Sequence, residues 1–336
     1  MGWDVLQGDC RDLMREMGEN SVDAIVTDPP YFKVKGDAWD RQWDKPDQFI
    51  AWLDGVAAEW FRVLKPNGSL YCFASPKMAA RVEVMIAERF NVCNSIVWNK
   101  SDQNGRHSQS CKEVLRSFFP ATERVIFAEH YGADNMAKGE AGYVAKCDEL
   151  RGFLFEPLRA YLANEWERAG LGSSDANAAT GTQMSGHWFT RSQWSLPTDS
   201  NYTKLREYAN KHGGDYLKRE YDCLKREYDY LKREYDDLRR PFSVTKDVPY
   251  TDVWAFPTVQ HYPGKHPCEK PQSMLEHIIE ASTRPGAVVL DTFAGTGSTG
   301  IACRNLGRSF IGCELDAKYA NIARQRIGDA ETLGVA

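Results

Sequence analysis

Over "VDAIVTD", residues 22–28, apolar and polar positions alternate as in a half-buried strand. From Asp47 the spacing becomes helical, and Phe49, Leu53, Val56, Trp60 and Leu64 fall on one face. Pro66 and Gly68 in "KPNG" stop that helix. "SLYCFAS" then reads as a strand, "PKMAARVEVMIAERF" as a helix and "NSIVWNK" as a strand. A polar loop at 101–120 precedes "ERVIFAEH", which is strand-like again. Strands alternating with helices predict βαβ units and a mostly parallel sheet.

From about Gly132 to Tyr250 the chain is polar and helical in pattern. It contains a seven-residue repeat, "DYLKREY", "DCLKREY", "DYLKREY" and "DDLRRPF", starting at Asp215. Leu217, Tyr221, Leu224, Tyr228, Leu231, Tyr235 and Leu238 are spaced alternately four and three, an a/d seam. Asp215 with Arg219, Asp222 with Arg226 and Asp229 with Arg233 would each support a helix by ~0.2–0.5 kcal/mol. A helix over 215–238 would span roughly 36 Å, ended by Pro241. The pattern fits a helix packed on its own domain, and equally a coiled-coil arm within or between chains. After Val253 the α/β character returns: "KPQSMLEHIIEAST" is helical, "RPGAVVLD" leads into a strand, "STGIACRNLG" is a helix, "SFIGCEL" a strand and "DAKYANIARQRI" a helix. The expectation is one doubly wound α/β domain, 1–131 and 251–336, interrupted by a helical insertion, 132–250.

Composition narrows this only a little. With 336 residues the chain can bury a full core as one large domain or two. It has no run of ~18 apolar residues, so no membrane span is expected. "MGWDVLQGDCRD" lacks the basic start and apolar core of a secretion signal. Nine scattered cysteines without C-x-x-C argue against structural zinc and a disulfide framework, and for a reducing cytoplasm. His266 and Cys268 lack further ligands at metal spacing, so no metal is expected. A net charge of −5 weighs mildly against nucleic acid, although a local basic cleft would not show in it.

Two short stretches carry candidate chemistry. The first strand ends on Asp28, followed at once by Pro29, Pro30 and Tyr31. Prolines fix φ and cannot donate to a ladder, so a carboxylate, a free carbonyl and a ring are frozen together at a strand end. In the second, "VVLDTFAGTGSTG", a strand ending in Asp291 runs through Phe293, Gly295, Thr296 and Gly297 into a helix. Glycines at such a turn let a ligand approach the backbone. Glu314 ends the next strand 19 residues beyond Gly295, where a ribose-binding acid belongs in a doubly wound nucleotide site. The spacing matches neither a dinucleotide fingerprint nor a phosphate loop, so a cofactor with a ribose but no phosphates fits better.

The DPPY at 28–31 combined with "DTFAGTGSTG" at 291–300 resembles the S-adenosylmethionine-dependent DNA amino-methyltransferases, in the β-type order with the catalytic motif N-terminal. "LQGDCRD", "EWFRVLKPNGSLYCF" and "KHPCEKP" add to the resemblance, which covers about 1–131 and 251–336. It implies a Rossmann-like fold and a methyl transfer to an exocyclic amino group of a flipped-out base in double-stranded DNA. Asp28 and the Pro29 carbonyl would accept from the amino group, Pro30 would rigidify the turn, and Tyr31 would stack on the base. Phe293, the backbone of Gly295 to Gly297, Asp291 and Glu314 would hold the cofactor, with Asp9 taking its adenine amino group and Lys270 touching it. Asp9 beside Gly8 also fits an ordinary strand-end turn.

An initial Asp resembles adenine-N6 enzymes, whereas cytosine-N4 enzymes more often begin with Ser. A DNA-binding regulator that lost the chemistry is the rival of a different class. The insertion would recognise the target. "GLGSSDANAATGTQMSGHWFTRSQW" reads as two short helices broken at Gly181, a helix-turn-helix pattern capped at Ser173 or Ser174 and at Thr182. Gln183, Ser185, His187 and Arg191 could then face the groove; a plain helical pair packing Met184, Trp188 and Phe189 fits too. Arg106, His107, Lys112 and Arg116 in the 101–120 loop are further DNA candidates. The heptads and the family's habit fit a homodimer, and a monomer with a folded-back arm satisfies the same pattern.

Overall fold

The computed structural model describes residues 2–34, 40–100, 118, 120–130, 150–191, 194–244, 250–260 and 268–333, without side chains for 331–333. They fall into two compact units, Met1–Glu140 with Arg240–Ala336, and Ala141–Arg239.

The first unit is built on an eight-stranded sheet: β1 (Trp3–Gln7), β2 (Val22–Thr27), β3 (Leu64–Ala74), β4 (Asn91–Asn99), β5 (Thr122–Glu129), β6 (Val253–Ala255), β7 (Val288–Asp291) and β8 (Ser309–Glu314), in the order β1-β8-β7-β2-β3-β5-β4-β6. Only β5 runs antiparallel to its neighbours, β3 and β4. The three-residue β6 was not expected; one buried position, Trp254, is too little for a period-two signal. Successive side chains leave the sheet on opposite faces. Ile25, Leu70 and Cys72 accordingly pack with α1 (Cys10–Arg15), α2 (Pro46–Val63) and α3 (Ala79–Ala87). On the other face, Ala24, Val26, Tyr71 and Phe73 belong to a core with the helices Gln272–Ser282, Ser298–Asn305 and Ala317–Leu333. The sheet is therefore doubly wound and mostly parallel, as expected. The stripe Phe49, Leu53, Val56, Trp60 and Leu64 is fully buried.

The second unit is helical: α4 (Glu156–Arg168), α5 (Ser173–Thr180), α6 (Ser185–Phe189), α7 (Asp199–Ala209) and α8 (Tyr221–Leu238). In it Leu158, Leu162, Trp166, Trp188, Tyr202, Leu205 and Leu224 form a separate core. The heptad stretch departs from the expectation over 215–238, because the helix begins only at Tyr221. Side chains from neighbouring helices capture the backbone before it. The Tyr202 hydroxyl bonds the carbonyls of Leu217 at 3.0 Å and Arg219 at 2.8 Å. Glu165 Oε2 accepts from the Leu217 N–H at 2.9 Å, and the Tyr161 hydroxyl from that of Arg219 at 2.9 Å. Leu217 itself is buried at φ 53°, outside helical space.

The three expected acid–arginine pairs are also replaced. Asp215 pairs with Lys218 and Asp229 with Lys225, while Arg226 donates to the Asp222 carbonyl at 3.2 Å. The seam residues Leu224 and Tyr235 are buried, and Tyr228 and Tyr235 lie 5.4 and 6.0 Å from the Phe155 ring. Within the chain, the stripe packs on its own unit.

Candidate active site

β2 and β7 are adjacent parallel strands, with Ala24 opposite Val289 and Ile25 opposite Leu290. Their carboxyl ends therefore lie side by side, which is where open α/β sheets bind ligands. Thr27 and Thr292 join the two ends, hydroxyl to hydroxyl, at 2.8 Å, and the Trp60 indole donates to Thr292 at 3.2 Å. One cavity of about 580 Å³ opens there. Asp28, Pro29, Pro30 and Tyr31 line it together with Asp291, Phe293, Gly295, Thr296 and Glu314, and Asp9 and Lys270 reach it as well.

On the β2 side, the Lys270 ammonium rests on Asp28 Oδ2. Asp28 Oδ1 is buried without a hydrogen-bond partner among the described residues. Burial pushes the Asp28 carboxyl up, against the pull of Lys270. Burial would also discharge Lys270, but Asp28 and Glu123 outweigh it and hold the ammonium above its ordinary range. Lys270 lies 5.1 Å from the centre of the Tyr31 ring and 5.0 Å from that of Phe73. The Tyr31 hydroxyl donates to Glu123 Oε2 at 2.7 Å, and its backbone N–H to Asp40 Oδ1 at 2.7 Å. Asp40 Oδ2 also accepts from Val34 at 2.6 Å, clamping a turn in which Phe32 and Lys33 sit at φ 58° and 59°. Lys270, expected on the cofactor, is thus held on the Asp28 side of the cavity.

On the β7 side, Asp291 is absorbed into the turn. Its Oδ1 accepts from the Phe293 N–H at 3.0 Å and its Oδ2 from the Thr299 hydroxyl at 2.6 Å. Burial pushes its carboxyl up to about 6. Thr296 is pinned from behind, its hydroxyl accepting from Arg326 at 2.7 Å, and Arg326 also pairs with Glu269 at 2.7 Å. Gly297 stands at φ 83°, and a Cβ there would meet Ala323 at 3.0 Å. It does not line the cavity; its role is to let the following helix close on the C-terminal one. Gly295, at φ 52°, donates to Glu314 Oε2 at 2.8 Å, and Glu314 Oε1 accepts from the Asp316 N–H at 2.8 Å. Each carboxylate oxygen keeps a further acceptor site.

Asp9 caps α1 and accepts from Arg11 three times, through the backbone N–H at 2.9 Å and the guanidinium at 3.2 and 2.8 Å. The Arg11 guanidinium holds its carboxyl below the usual range. This is the geometry of a strand-end turn beside Gly8, the alternative to the expected contact with the cofactor's adenine amino group. Trp52, whose ring lies 5.7 Å from Phe293, also lines the cavity and was missed by the sequence analysis. So was Glu123: a single Glu at a strand start carries no motif.

The second unit holds the helical pair expected there, with changed details. Gly181 ends α5 at φ 71°, as read. The cap of α5 is Gly172 rather than Ser173 or Ser174, its N–H bonded to Asp175 at 2.7 Å. Met184, not Thr182, precedes α6, which spans only five residues. Ser185 is buried and its N–H donates to Asn177 at 3.2 Å, so its side chain does not face outward as expected. Gln183 is exposed and accepts from Asn177 at 3.1 Å, His187 is half-buried, and Arg191 is exposed with Glu156 at 3.2 Å. Arg106, His107, Lys112 and Arg116 lie outside the described residues.

An acidic Pro-Pro turn and a glycine-rich turn thus share one cavity at the strand ends of a doubly wound sheet. The chain belongs to the N6/N4 DNA methylase family, whose profile matches residues 22–325. Among curated relatives, the DNA adenine methyltransferase YhdJ of Escherichia coli (strain K12) is 26% identical over 327 residues, 96% of this chain and 82% of YhdJ. The type II methyltransferase M2.LlaDCHI of Lactococcus lactis subsp. cremoris is 25% identical over 346 residues, 98% of this chain and 91% of that protein. Among solved structures, the cytosine-N4-specific PvuII DNA methyltransferase superposes with a TM-score of 0.53 at 12% identity, covering 99% of this chain and 92% of its own. TTHA0409 from Thermus thermophilus superposes with 0.50 at 20% identity, over 98% and 95%. These two likenesses are of fold. Among the described residues no helix is long and apolar enough to cross a membrane.

Proposed function

We propose that this DNA methylase transfers a methyl group from S-adenosylmethionine to the N6 amino group of adenine, flipped out of double-stranded DNA, at a specific site. The observation that carries the reading is Asp28 Oδ1, a buried acceptor in the cavity wall without a hydrogen-bond partner among the described residues. Such an atom is costly to leave unsatisfied unless a ligand donates to it. An amino group with two N–H donors suits Asp28 Oδ1 and the Pro29 carbonyl together. Both bonds draw the nitrogen toward tetrahedral geometry and free a lone pair otherwise delocalised into the ring. Pro29 and Pro30 fix this arrangement beforehand, where a misplacement of about 1 Å can cost 10²-fold. Tyr31, held by Asp40 and Glu123, offers its ring for stacking on the base. Asp28 is also placed to take the proton that the nitrogen sheds.

The cavity suits the cofactor at its other end. Phe293 and Trp52 supply aromatic surface, and Glu314 is braced by two backbone N–H groups with acceptor capacity left for ribose hydroxyls. Asp9 and Asp291 are taken up by the fold around it, so their part is to shape this end. S-adenosylmethionine, when bound, supplies an electrophilic methyl group. Adenine is favoured by the initial Asp of the DPPY turn and by the adenine-specific relative. Target recognition is assigned to the second unit, through Gln183, His187 and Arg191.

The test is transfer of labelled methyl from S-adenosylmethionine to duplex DNA with identification of the product nucleoside. N6-methyladenine is expected. N4-methylcytosine would overturn the choice of base, and cofactor binding without DNA methylation would overturn the substrate.

A further inference from the structure

Glu123 belongs to neither motif, yet it touches two residues of the site, Tyr31 and Lys270. It stands at the start of β5, the strand that runs against its neighbours. That reversed direction brings the first residues of β5 to the sheet edge where β2 and β7 end: Arg124 pairs with Ala74, at the end of β3. Glu123 Oε2 accepts from the Tyr31 hydroxyl at 2.7 Å and lies 3.6 Å from the Lys270 ammonium. Its Oε1 takes Lys100 at 2.8 Å. Two carboxylates and two ammonium groups are thus interleaved, and Lys270 is held between Asp28 and Glu123.

We propose that Glu123 is a positioning residue for methyl transfer, holding the Tyr31 ring by its hydroxyl and the Lys270 ammonium by its charge, so that Lys270 engages Asp28 through one oxygen and leaves the other for the target amino group. The inference rests on the methyl-transfer reading above and adds a residue to it. Without Glu123, Lys270 has a single carboxylate and is free to cover both its oxygens. Tyr31 would then keep its ring and its hydroxyl's interaction with Asp28 but lose its bond to Glu123. A purely structural role, as the partner of Lys100 alone, would make Glu123 matter for folding and not for the rate.

The groups facing Asp28 are Lys270, Glu123 and Tyr31, with Cys72 and Asp291 beyond them. The Glu123 charge pushes the Asp28 carboxyl up and Lys270 pulls it down. The two removals therefore act with opposite sign on the acidic limb of kcat. Glu123→Gln moves that limb to lower pH, and Lys270→Met moves it to higher pH.

The experiment compares wild type, Glu123→Gln, Lys270→Met, Tyr31→Phe and the Tyr31→Phe/Glu123→Gln double variant in methyl transfer to duplex DNA, with thermal melts alongside. Glu123→Gln is expected to lower kcat roughly 10-fold or more at neutral pH, with the KM for S-adenosylmethionine unchanged. The double variant is expected to lose less than the product of the single losses, because both remove one contact. Same-direction shifts of the acidic limb, additive losses, or an unchanged kcat in Glu123→Gln would each overturn the inference while leaving wild-type methylation standing. If Glu123→Gln does not fold, Tyr31→Phe reads the same contact from its other end, and an unchanged kcat there overturns it. No transfer by wild type would overturn the underlying reading as well.

Discussion

Thr27 and Thr292 share a hydrogen bond of 2.8 Å across 265 residues of sequence. The bond sits where β2 and β7 end, one residue before Asp28 and one before Phe293. Motifs at opposite ends of the chain are therefore fixed within one cavity wall by strand adjacency, and the order in which they occur along the chain is immaterial to the site.

Asp28→Ala removes the buried acceptor that has no partner among the described residues, and leaves the glycine-rich turn intact. The kcat for DNA methylation should fall by roughly 10²–10⁴-fold, with little change in calorimetric affinity for S-adenosylmethionine. A matching loss of affinity would show that Asp28 serves the cofactor instead.

Gly297→Ala places a methyl group 3.0 Å from Ala323 at a φ of 83°. Both the contact and the backbone are unfavourable, so a loss of about 1–3 kcal/mol is expected. Chemical denaturation would measure it. An unchanged midpoint would mean that the C-terminal helix yields at no cost.

Asp291 gives a pH signature. Burial raises its carboxyl to about 6, from 3.8, so the folded chain binds a proton that the unfolded chain releases over that interval. Its contribution to stability is present at the acidic end and is lost as pH rises toward 6, by on the order of 3 kcal/mol. Asp291→Asn cannot ionise. In melts from pH 4 to 7, wild type should fall relative to the variant up to about pH 6 and then run parallel. A constant difference over the whole range would refute the assignment.

The fold was legible wherever burial repeats with a period. Phe49 to Leu64 and the strands of the sheet show it, whereas β6, with Trp254 alone inside, does not. Both turns were legible because proline and glycine are signals in the backbone itself. That Lys270 rests on Asp28 was not legible, because spacing along the chain cannot say which strand end a long side chain will reach. Glu123 and Trp52 were invisible for a related reason: each is one residue in an ordinary strand or helix, and only the fold brings Trp52 to the cavity and Glu123 to Tyr31 and Lys270. The first heptad was misread because Tyr202, Glu165 and Tyr161, remote in sequence, claim the backbone groups that a helix would have used.

Arg240, the first residue of the sheet unit after the helical segment, has Nε 2.6 Å from Glu129 Oε2, and Glu129 is 1% exposed. Arg240→Ala would strand that carboxylate and destabilise the sheet unit by about 3–5 kcal/mol at neutral pH. Burial pushes Glu129 up and Arg240 restrains it, so the loss should shrink on acidification as Glu129 takes a proton. Paired melts at pH 7 and pH 5 would show this. Equal losses at both would mean that packing of Arg240 on Phe127 and Phe242 matters more than its charge.

The same ion pair has an evolutionary consequence. The sheet unit closes on itself through Glu129 and Arg240, like a ring with a clasp. On that footing we propose that residues 141–239 can be exchanged, lengthened or rewritten as a cassette. If they read the DNA, a new target word could be acquired by replacing the cassette, with the transfer chemistry inherited unchanged.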